Sequence, residues 1–245
     1  MPKKVLHNKY SKEDLLKKLE TENDHRTVIS FYQYAQIKNP AFFRDLMYER
    51  WEQLGVLGRV YVAREGVNAQ ISVPSNKIEE FRTEVYTVDV LNGIRLNYAV
   101  HNDDKSFIKL KVKVRKKIVA DGLNDDTFDV TNKGIHLSAE DFNAITQRPE
   151  TIVVDMRNHY ESEIGHMENA ICPDVDTFRE ELPLVVDMLK DEKDKPVVMY
   201  CTGGIRCEKA SAYLKHVGFK DVYQLNGGII EYARQCDEKG LPNKF

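Results

Sequence analysis

Cys201 and Arg206 are the pair in this sequence best suited to nucleophilic chemistry, within Met199-Tyr200-Cys201-Thr202-Gly203-Gly204-Ile205-Arg206-Cys207-Glu208-Lys209. The apolar run Pro196 to Tyr200 predicts a buried parallel strand, two glycines permit a sharp bend, and Glu208 to Val217 predicts a helix closed by Gly218. Cys201 then sits at a strand-to-helix turn. Backbone N–H groups converge on such a position, favour a thiolate or bound anion, and lower the thiol pKa. Arg206 adds a permanent cation, and Thr202, Gly203, Gly204 and Ile205 complete the candidate anion cradle. Most free cysteines are small buried hydrophobes. Packing alone, however, explains neither the Gly-Gly nor the arginine that follows. Cys207 falls in the first turn of the helix, where core packing is the favoured role and a resolving thiol for Cys201 is the alternative.

A loop of this kind needs an α/β scaffold, and the chain has room for two domains in 245 residues. Hydrophobic residues make up 42% and charged residues 31%, with a mean hydropathy of -0.51, which indicates a soluble protein. No apolar run reaches membrane length. Met1-Pro2-Lys3-Lys4 leads into a charged helix rather than an apolar segment, so no signal peptide is expected and the cytoplasm is the expected location. Four cysteines without a Cys-x-x-Cys pair (Cys172, Cys201, Cys207, Cys236) argue against a zinc ribbon or a disulfide scaffold.

The net charge of -3 conceals an asymmetry. Residues 1–120 hold 22 Lys/Arg against 15 Asp/Glu, a balance of +7; residues 121–245 hold 14 against 24, a balance of -10. The sign changes at the polar stretch Asp121-Gly122-Leu123-Asn124-Asp125-Asp126, which predicts a domain over 1–120, a linker over 121–135 and a second domain over 136–245.

In the first half, Ser11 caps a short helix (Asp14 to Leu19), Thr27 to Tyr34 is a strand, and Asn39-Pro40 opens a helix to Leu54 that Gly55 stops. Arg59 to Ala63 and Ala69 to Val73 form a hairpin, Ser75 caps a helix to about Tyr86, and Ile94 to Val100 is a further strand. The order βαββαβ predicts a ferredoxin-like α+β sandwich, a fold shared by acylphosphatases and many RNA-binding domains. Acylphosphatase chemistry needs an anion cradle with an arginine after the first strand, and Ala35-Gln36-Ile37-Lys38-Asn39 supplies neither arginine nor glycine. In Phe107 to Arg115, alternation sets Ile108, Leu110, Val112 and Val114 against Phe107, Lys109, Lys111, Lys113 and Arg115. Such lysines either protect a sheet edge or track phosphates. Lys116 and Lys117 extend the stripe and tip the reading toward RNA.

The second half predicts a parallel α/β sheet with the Cys201 loop at a strand's carboxyl end, where such sheets bind ligands. Its elements are a helix capped by Ser138, a strand Thr151 to Arg157, a helix Asp176 to Leu189, the Cys201 strand, a strand Val222 to Leu225 and a helix Ile229 to Cys236. His159, Glu161, Glu163 and His166 could suggest an iron site of two His and a carboxylate.

The Cys-x4-Arg spacing resembles the active loop of the rhodanese family, whose cysteine can carry a persulfide; phosphatase loops of related shape use Cys-x5-Arg around a larger phosphate. Asp155-x-Arg157 and Glu163-Ile164-Gly165-His166-Met167-Glu168-Asn169-Ala170 are similar to structural motifs of the same domains. There an Asp–Arg ion pair closes a strand and Gly-His shapes a turn, so this resemblance implies no metal. Three stretches together are more specific: Ala63-Arg64-Glu65-Gly66-Val67-Asn68-Ala69, Met199 through Ser211, and Asn226-Gly227-Gly228-Ile229-Ile230-Glu231-Tyr232. They resemble the rhodanese-domain tRNA uridine hydroxylases, which join an acylphosphatase-like domain to a rhodanese-type parallel α/β domain and convert the wobble uridine of tRNA to 5-hydroxyuridine. The resemblance implies that Cys201 is catalytic, that molecular oxygen is a co-substrate and that tRNA is the partner. Its members commonly continue into a cysteine-rich C-terminal segment, whereas this sequence stops at Phe245.

Arg64 joins Lys109, Lys111, Lys113, Arg115, Lys116 and Lys117 as a candidate RNA contact. No flavin, haem or convincing iron motif is visible, so no bound cofactor is expected and the reductant is unassigned. A sulfurtransferase passing persulfide sulfur through Cys201 is the alternative enzyme, and a non-catalytic RNA-binding protein is the third reading. The last leaves the complete Cys-x4-Arg loop without a purpose.

Overall fold

A computed structural model of the chain describes residues 6–8, 10–21, 25–99, 106–124 and 127–245. The chain divides into two compact units, Met1–Ile118 and Val119–Phe245. The division falls two residues before the boundary expected from charge. Met1 to Lys4, Val100, Asp125 and Asp126, all of which entered the sequence reading, lie outside the described residues.

The first unit contains α1 (Lys12–Thr21), β1 (Arg26–Tyr34), α2 (Pro40–Gln53), β2 (Leu57–Ala63), β3 (Gly66–Pro74), α3 (Ile78–Tyr86), β4 (Asn97–Tyr98) and β5 (Leu110–Val114). Its sheet has the order β4-β1-β3-β2-β5, with β1, β2, β3 and β4 antiparallel to their neighbours and β5 added parallel to β2. The expected βαββαβ sandwich is present, extended by one edge strand. Period-2 alternation decides its faces: Ile29, Phe31, Val60, Val62, Ala69 and Ile71 are buried, and Trp51 of α2 packs edge-on to Phe31 and to Phe81 of α3. Asn39 caps α2 by accepting the Phe42 N–H at 3.1 Å, with Pro40 in the first turn.

Four local expectations need correction. The hairpin loop is only Arg64-Glu65, because Ala63 pairs directly with Gly66 and the expected five-residue loop is mostly strand. Ser75 caps no helix; its hydroxyl lies 2.9 Å from that of Thr27, and a single 3-10 turn precedes α3. The strand expected over Ile94 to Val100 is reduced to Asn97–Tyr98 among the described residues. Val114, expected on the buried face, is 44% exposed because it ends an edge strand.

The second unit contains β6 (Ile135–Leu137), α4 (Ala139–Ile145), β7 (Ile152–Asp155), α5 (His159–Ile164), α6 (Phe178–Met188), β8 (Val197–Tyr200), α7 (Ile205–His216), β9 (Val222–Leu225) and α8 (Gly228–Lys239). The strands form one parallel sheet in the order β6-β9-β8-β7. Every residue of β8 is buried, as a central parallel strand requires. Alternation sends Val197, Met199 and Cys201 into one apolar layer with α6 and α7, and Val198 and Tyr200 into the other with α4 and α8. β6 and α5, a three-residue strand and a six-residue helix, are too short to show a period in the sequence. α7 begins three residues before the expected start at Glu208. Gly204, at φ +96°, begins that helix, which places Arg206 and Cys207 in its first turn. No helix among the described residues is long and apolar enough to cross a membrane.

Candidate active site

Cys201 follows the last residue of β8, and the loop turns back onto its sulfur. The Gly204 N–H points at Cys201 Sγ at 3.1 Å, made possible by the left-handed backbone at Gly204. The carbonyl of Cys201 accepts the Ile229 N–H at 3.0 Å, and that of Thr202 accepts the Ile230 N–H at 3.4 Å. The start of α8 therefore braces the loop from behind. At Gly228, φ +68°, a Cβ would lie 2.4 Å from the Cys201 carbonyl oxygen and 2.5 Å from that of Thr202. A side chain at Gly203, by contrast, would meet nothing within 4 Å, so the loop is open on that side.

Arg206 does not reach out to solvent. Its Nη1 and Nη2 donate to the two carboxylate oxygens of Glu161 at 2.8 and 3.0 Å, and Nη2 also donates to Thr202 Oγ1 at 3.1 Å. The Thr202 hydroxyl in turn donates to Glu161 at 2.7 Å. This fork-on-fork pairing fixes the guanidinium plane. Burial works against the Glu161 carboxylate, but the hydrogen bonds from Arg206 and Thr202 and the Arg206 charge hold its pKa down to about 2. Arg206 is pushed above its usual value: burial opposes its charge, and the Glu161 bonds outweigh that opposition.

Cys201 is fully buried, which by itself favours the neutral thiol. The Cys207 thiol, the Arg206 charge and the backbone N–H groups of Cys207 and Arg206 reverse this and bring its pKa to about 6. At neutral pH the sulfur is a thiolate. Cys207 is itself buried in the same layer, and its own pKa is raised by burial and by the hydrogen bond it makes to Cys201. It packs in the core and also donates to the thiolate. All four cysteines are free.

Glu181 of α6, which the sequence reading passed over, lies in this layer. It is 0% exposed, neither of its carboxyl oxygens has a hydrogen-bond partner, and burial pushes its pKa up to about 9. It is a neutral acid within electrostatic reach of Arg206, Asp155, Cys201 and Glu161. An ionised carboxylate there would oppose the Cys201 thiolate.

Asp155 and Arg157 form a buried ion pair, with Nε–Oδ1 at 2.8 Å and Nη2–Oδ2 at 2.6 Å, and Arg157 also donates to the Gly165 carbonyl. The His and Glu residues of this region turn to separate partners. Glu161 holds Arg206, His166 Nδ1 lies 3.1 Å from the Ser162 carbonyl, and His159 lies 3.3 Å from Glu163 and 3.4 Å from Asp174. Among the described residues no group of three His, Cys, Asp or Glu is placed to hold a metal ion. Lys209, one turn beyond Arg206, is buried and bonds Asp121 at 2.9 Å and the Val119 carbonyl at 3.0 Å. Asp121, read from sequence as linker, is thereby anchored on the helix that follows the active loop.

In the first unit, Lys111 and Lys113 are exposed on β5, Arg115 lies 5.3 Å over the Tyr61 ring, and Lys116 and Arg64 are exposed. Lys109 and Lys117 are half-buried.

Two domain families match this chain: a UPF0176 acylphosphatase-like domain over residues 26–118 and a rhodanese-like domain over residues 138–235. A tRNA uridine(34) hydroxylase of Leptospira interrogans is 57% identical over 99% of this chain and 66% of its own length; one of Photorhabdus laumondii is 54% identical over 98% and 69%. The chain belongs to the tRNA uridine(34) hydroxylase family. It spans about two thirds of the length of these curated relatives. Among solved structures, a rhodanese-related protein of Thermoplasma volcanium is 23% identical, covering 44% of this chain and 95% of its own, with a TM-score of 0.35. The tRNA uridine(34) hydroxylases are tRNA-modifying enzymes, and the parallel second unit is the rhodanese-like domain expected from the Cys201 loop.

The thiolate is directly testable. The ultraviolet absorbance of wild type minus Cys201→Ser is expected to rise with a midpoint near pH 6. Arg206→Gln should move that midpoint up toward the ordinary thiol value. Because the folded pKa is depressed, the thiolate stabilises the fold above pH 9 and that contribution is lost as pH falls through about 6. A midpoint unmoved in Arg206→Gln would remove the guanidinium from the stabilisation of the thiolate.

Proposed function

We propose that this chain hydroxylates the wobble uridine of tRNA to 5-hydroxyuridine with molecular oxygen as co-substrate, Cys201 being the nucleophile. The observation that carries this reading is the buried Cys201 sulfur, held as a thiolate by Gly204, Cys207 and Arg206 in a chain of this family. Thiolate addition to C6 of uracil leaves an enolate whose C5 can attack an electrophilic oxidant. Loss of the C5 proton and departure of the thiolate then restore the ring. One oxygen atom enters the nucleoside and the other leaves as water, which requires two electrons from an external reductant. Substrate approaches past Gly203, where the loop is open. The exposed cations Arg64, Lys111, Lys113, Arg115 and Lys116, with half-buried Lys109 and Lys117, are the proposed phosphate contacts, and a tRNA substrate implies a cytoplasmic site of action.

The same loop suits sulfur transfer, because N–H groups that stabilise a thiolate also stabilise a persulfide anion. Isotopes separate the two reactions. Under heavy dioxygen a hydroxylase places the heavy atom in a nucleoside that co-migrates with 5-hydroxyuridine. A sulfurtransferase works without oxygen and places labelled sulfur in the nucleoside. The expected result is the oxygen label; sulfur label in the nucleoside would overturn the proposal.

A further inference from the structure

The strand register of the first unit brings together residues that are far apart in sequence. Arg59 lies beside Lys111 and Tyr61 beside Lys113 across the β2–β5 pair. Across β2–β3, Gln70 lies beside Arg59 and Asn68 beside Tyr61; across β1–β3, Ser30 lies beside Gln70 and Tyr32 beside Asn68. Two rows result on one face, Lys111-Arg59-Gln70-Ser30 and Lys113-Tyr61-Asn68-Tyr32. The apolar positions alternate onto the opposite face, where Phe31 meets Trp51 of α2 and Phe81 of α3. Arg59, Gln70, Ser30, Lys111 and Lys113 are exposed, and Tyr61 and Asn68 are half-buried. Neither row holds a carboxylate. A shallow depression of about 50 Å³ is lined by Arg59, Tyr61, Asn68 and Gln70.

Arg59 directly opposite Lys111 is a like-charge cross-strand pair, an arrangement that destabilises a sheet by itself. A polyanion laid along these rows relieves it. The aromatic ring and the side-chain amides point to more than phosphate. Duplex stems bury their base faces, whereas unpaired nucleotides can stack on an aromatic ring and present their edges to amides. The Arg115 guanidinium over Tyr61 extends the stacking surface.

We infer that this open sheet face is a platform for unpaired nucleotides of the RNA substrate, with Tyr61 stacking on a base, Asn68 and Gln70 meeting its edge, and Arg59, Lys111 and Lys113 holding the phosphates. The inference rests on the proposed function only for its choice of RNA as the partner.

The test titrates the full chain with a labelled single-stranded oligouridylate and with an RNA duplex of equal length, over a range of salt. Single-strand binding tighter than duplex binding is expected. Tyr61→Leu should weaken it about tenfold without altering the slope of log affinity against log salt, while Tyr61→Phe keeps wild-type affinity. Lys111→Gln and Lys113→Gln should each reduce the slope by about 0.7, the single-strand value for one lost phosphate contact. Melting curves for both Tyr61 variants separate lost stacking from lost folding. Duplex bound as tightly as single strand, Tyr61→Leu binding like Tyr61→Phe, or self-association of the protein through this face would each overturn the inference. Turnover is not measured, so failed hydroxylation with intact binding counts against the proposed reaction and leaves the platform standing.

Discussion

Cys201→Ser is expected to abolish formation of the modified nucleoside, with a rate at least about 1,000-fold below wild type, while the protein stays folded. The exchange replaces a sulfur atom by an oxygen of similar shape, so the apolar layer around Met199 and Leu214 keeps its packing. The chemistry changes far more. The loop stabilises a thiolate with a pKa near 6, but a serine hydroxyl in the same cradle stays protonated at any working pH. Assays should follow the heavy-oxygen nucleoside, alongside melting curves for both proteins. Turnover within tenfold of wild type would exclude Cys201 from covalent chemistry, whatever the binding data show.

Gly228→Ala, which lies outside the Cys-x4-Arg segment, should be nearly as damaging. The new Cβ would sit 2.4 Å from the Cys201 carbonyl oxygen and 2.5 Å from that of Thr202, and neither contact can be relieved by rotating a side chain. At φ +68° the backbone itself also disfavours any residue but glycine. Left-handed strain and overpacking together predict a loss of about 2–5 kcal/mol. Whatever movement relieves the clash must shift Cys201, because the Ile229 N–H is bonded to the Cys201 carbonyl. A displacement of that kind is expected to lower turnover about 100-fold and to raise the thiolate midpoint above pH 6. Chemical denaturation with the ultraviolet titration checks both parts. Wild-type stability together with a midpoint still at 6 would show that α8 does not brace the loop.

Legibility in the sequence followed the range of the interaction. The strand, bend and helix around Cys201 could be read directly, because an apolar run, two glycines and a capped amphipathic segment are local signals. The βαββαβ order of the first unit was readable for the same reason, as was the alternation that sets Leu110 and Val112 against Lys111 and Lys113. Where α7 begins was not, since Ile205, Arg206 and Cys207 are drawn into its first turn by the Gly204 backbone and by Glu161, a partner 45 residues away.

The sequence by itself therefore determined the candidate nucleophile, the cation beside it and the two-unit α/β plan that carries them. Only the tertiary structure decided that Glu161 holds Arg206, that Gly228 must lack a side chain, that Glu181 lies neutral in the thiolate's layer, and that Arg59 and Tyr61 share a face with Lys111 and Lys113. Each of these depends on the register of a strand or the seating of a helix against a distant segment. Register is set by how whole apolar faces fit together, and a one-residue slip between β2 and β5 would have put Lys111 and Lys113 on the face opposite Arg59 and Tyr61.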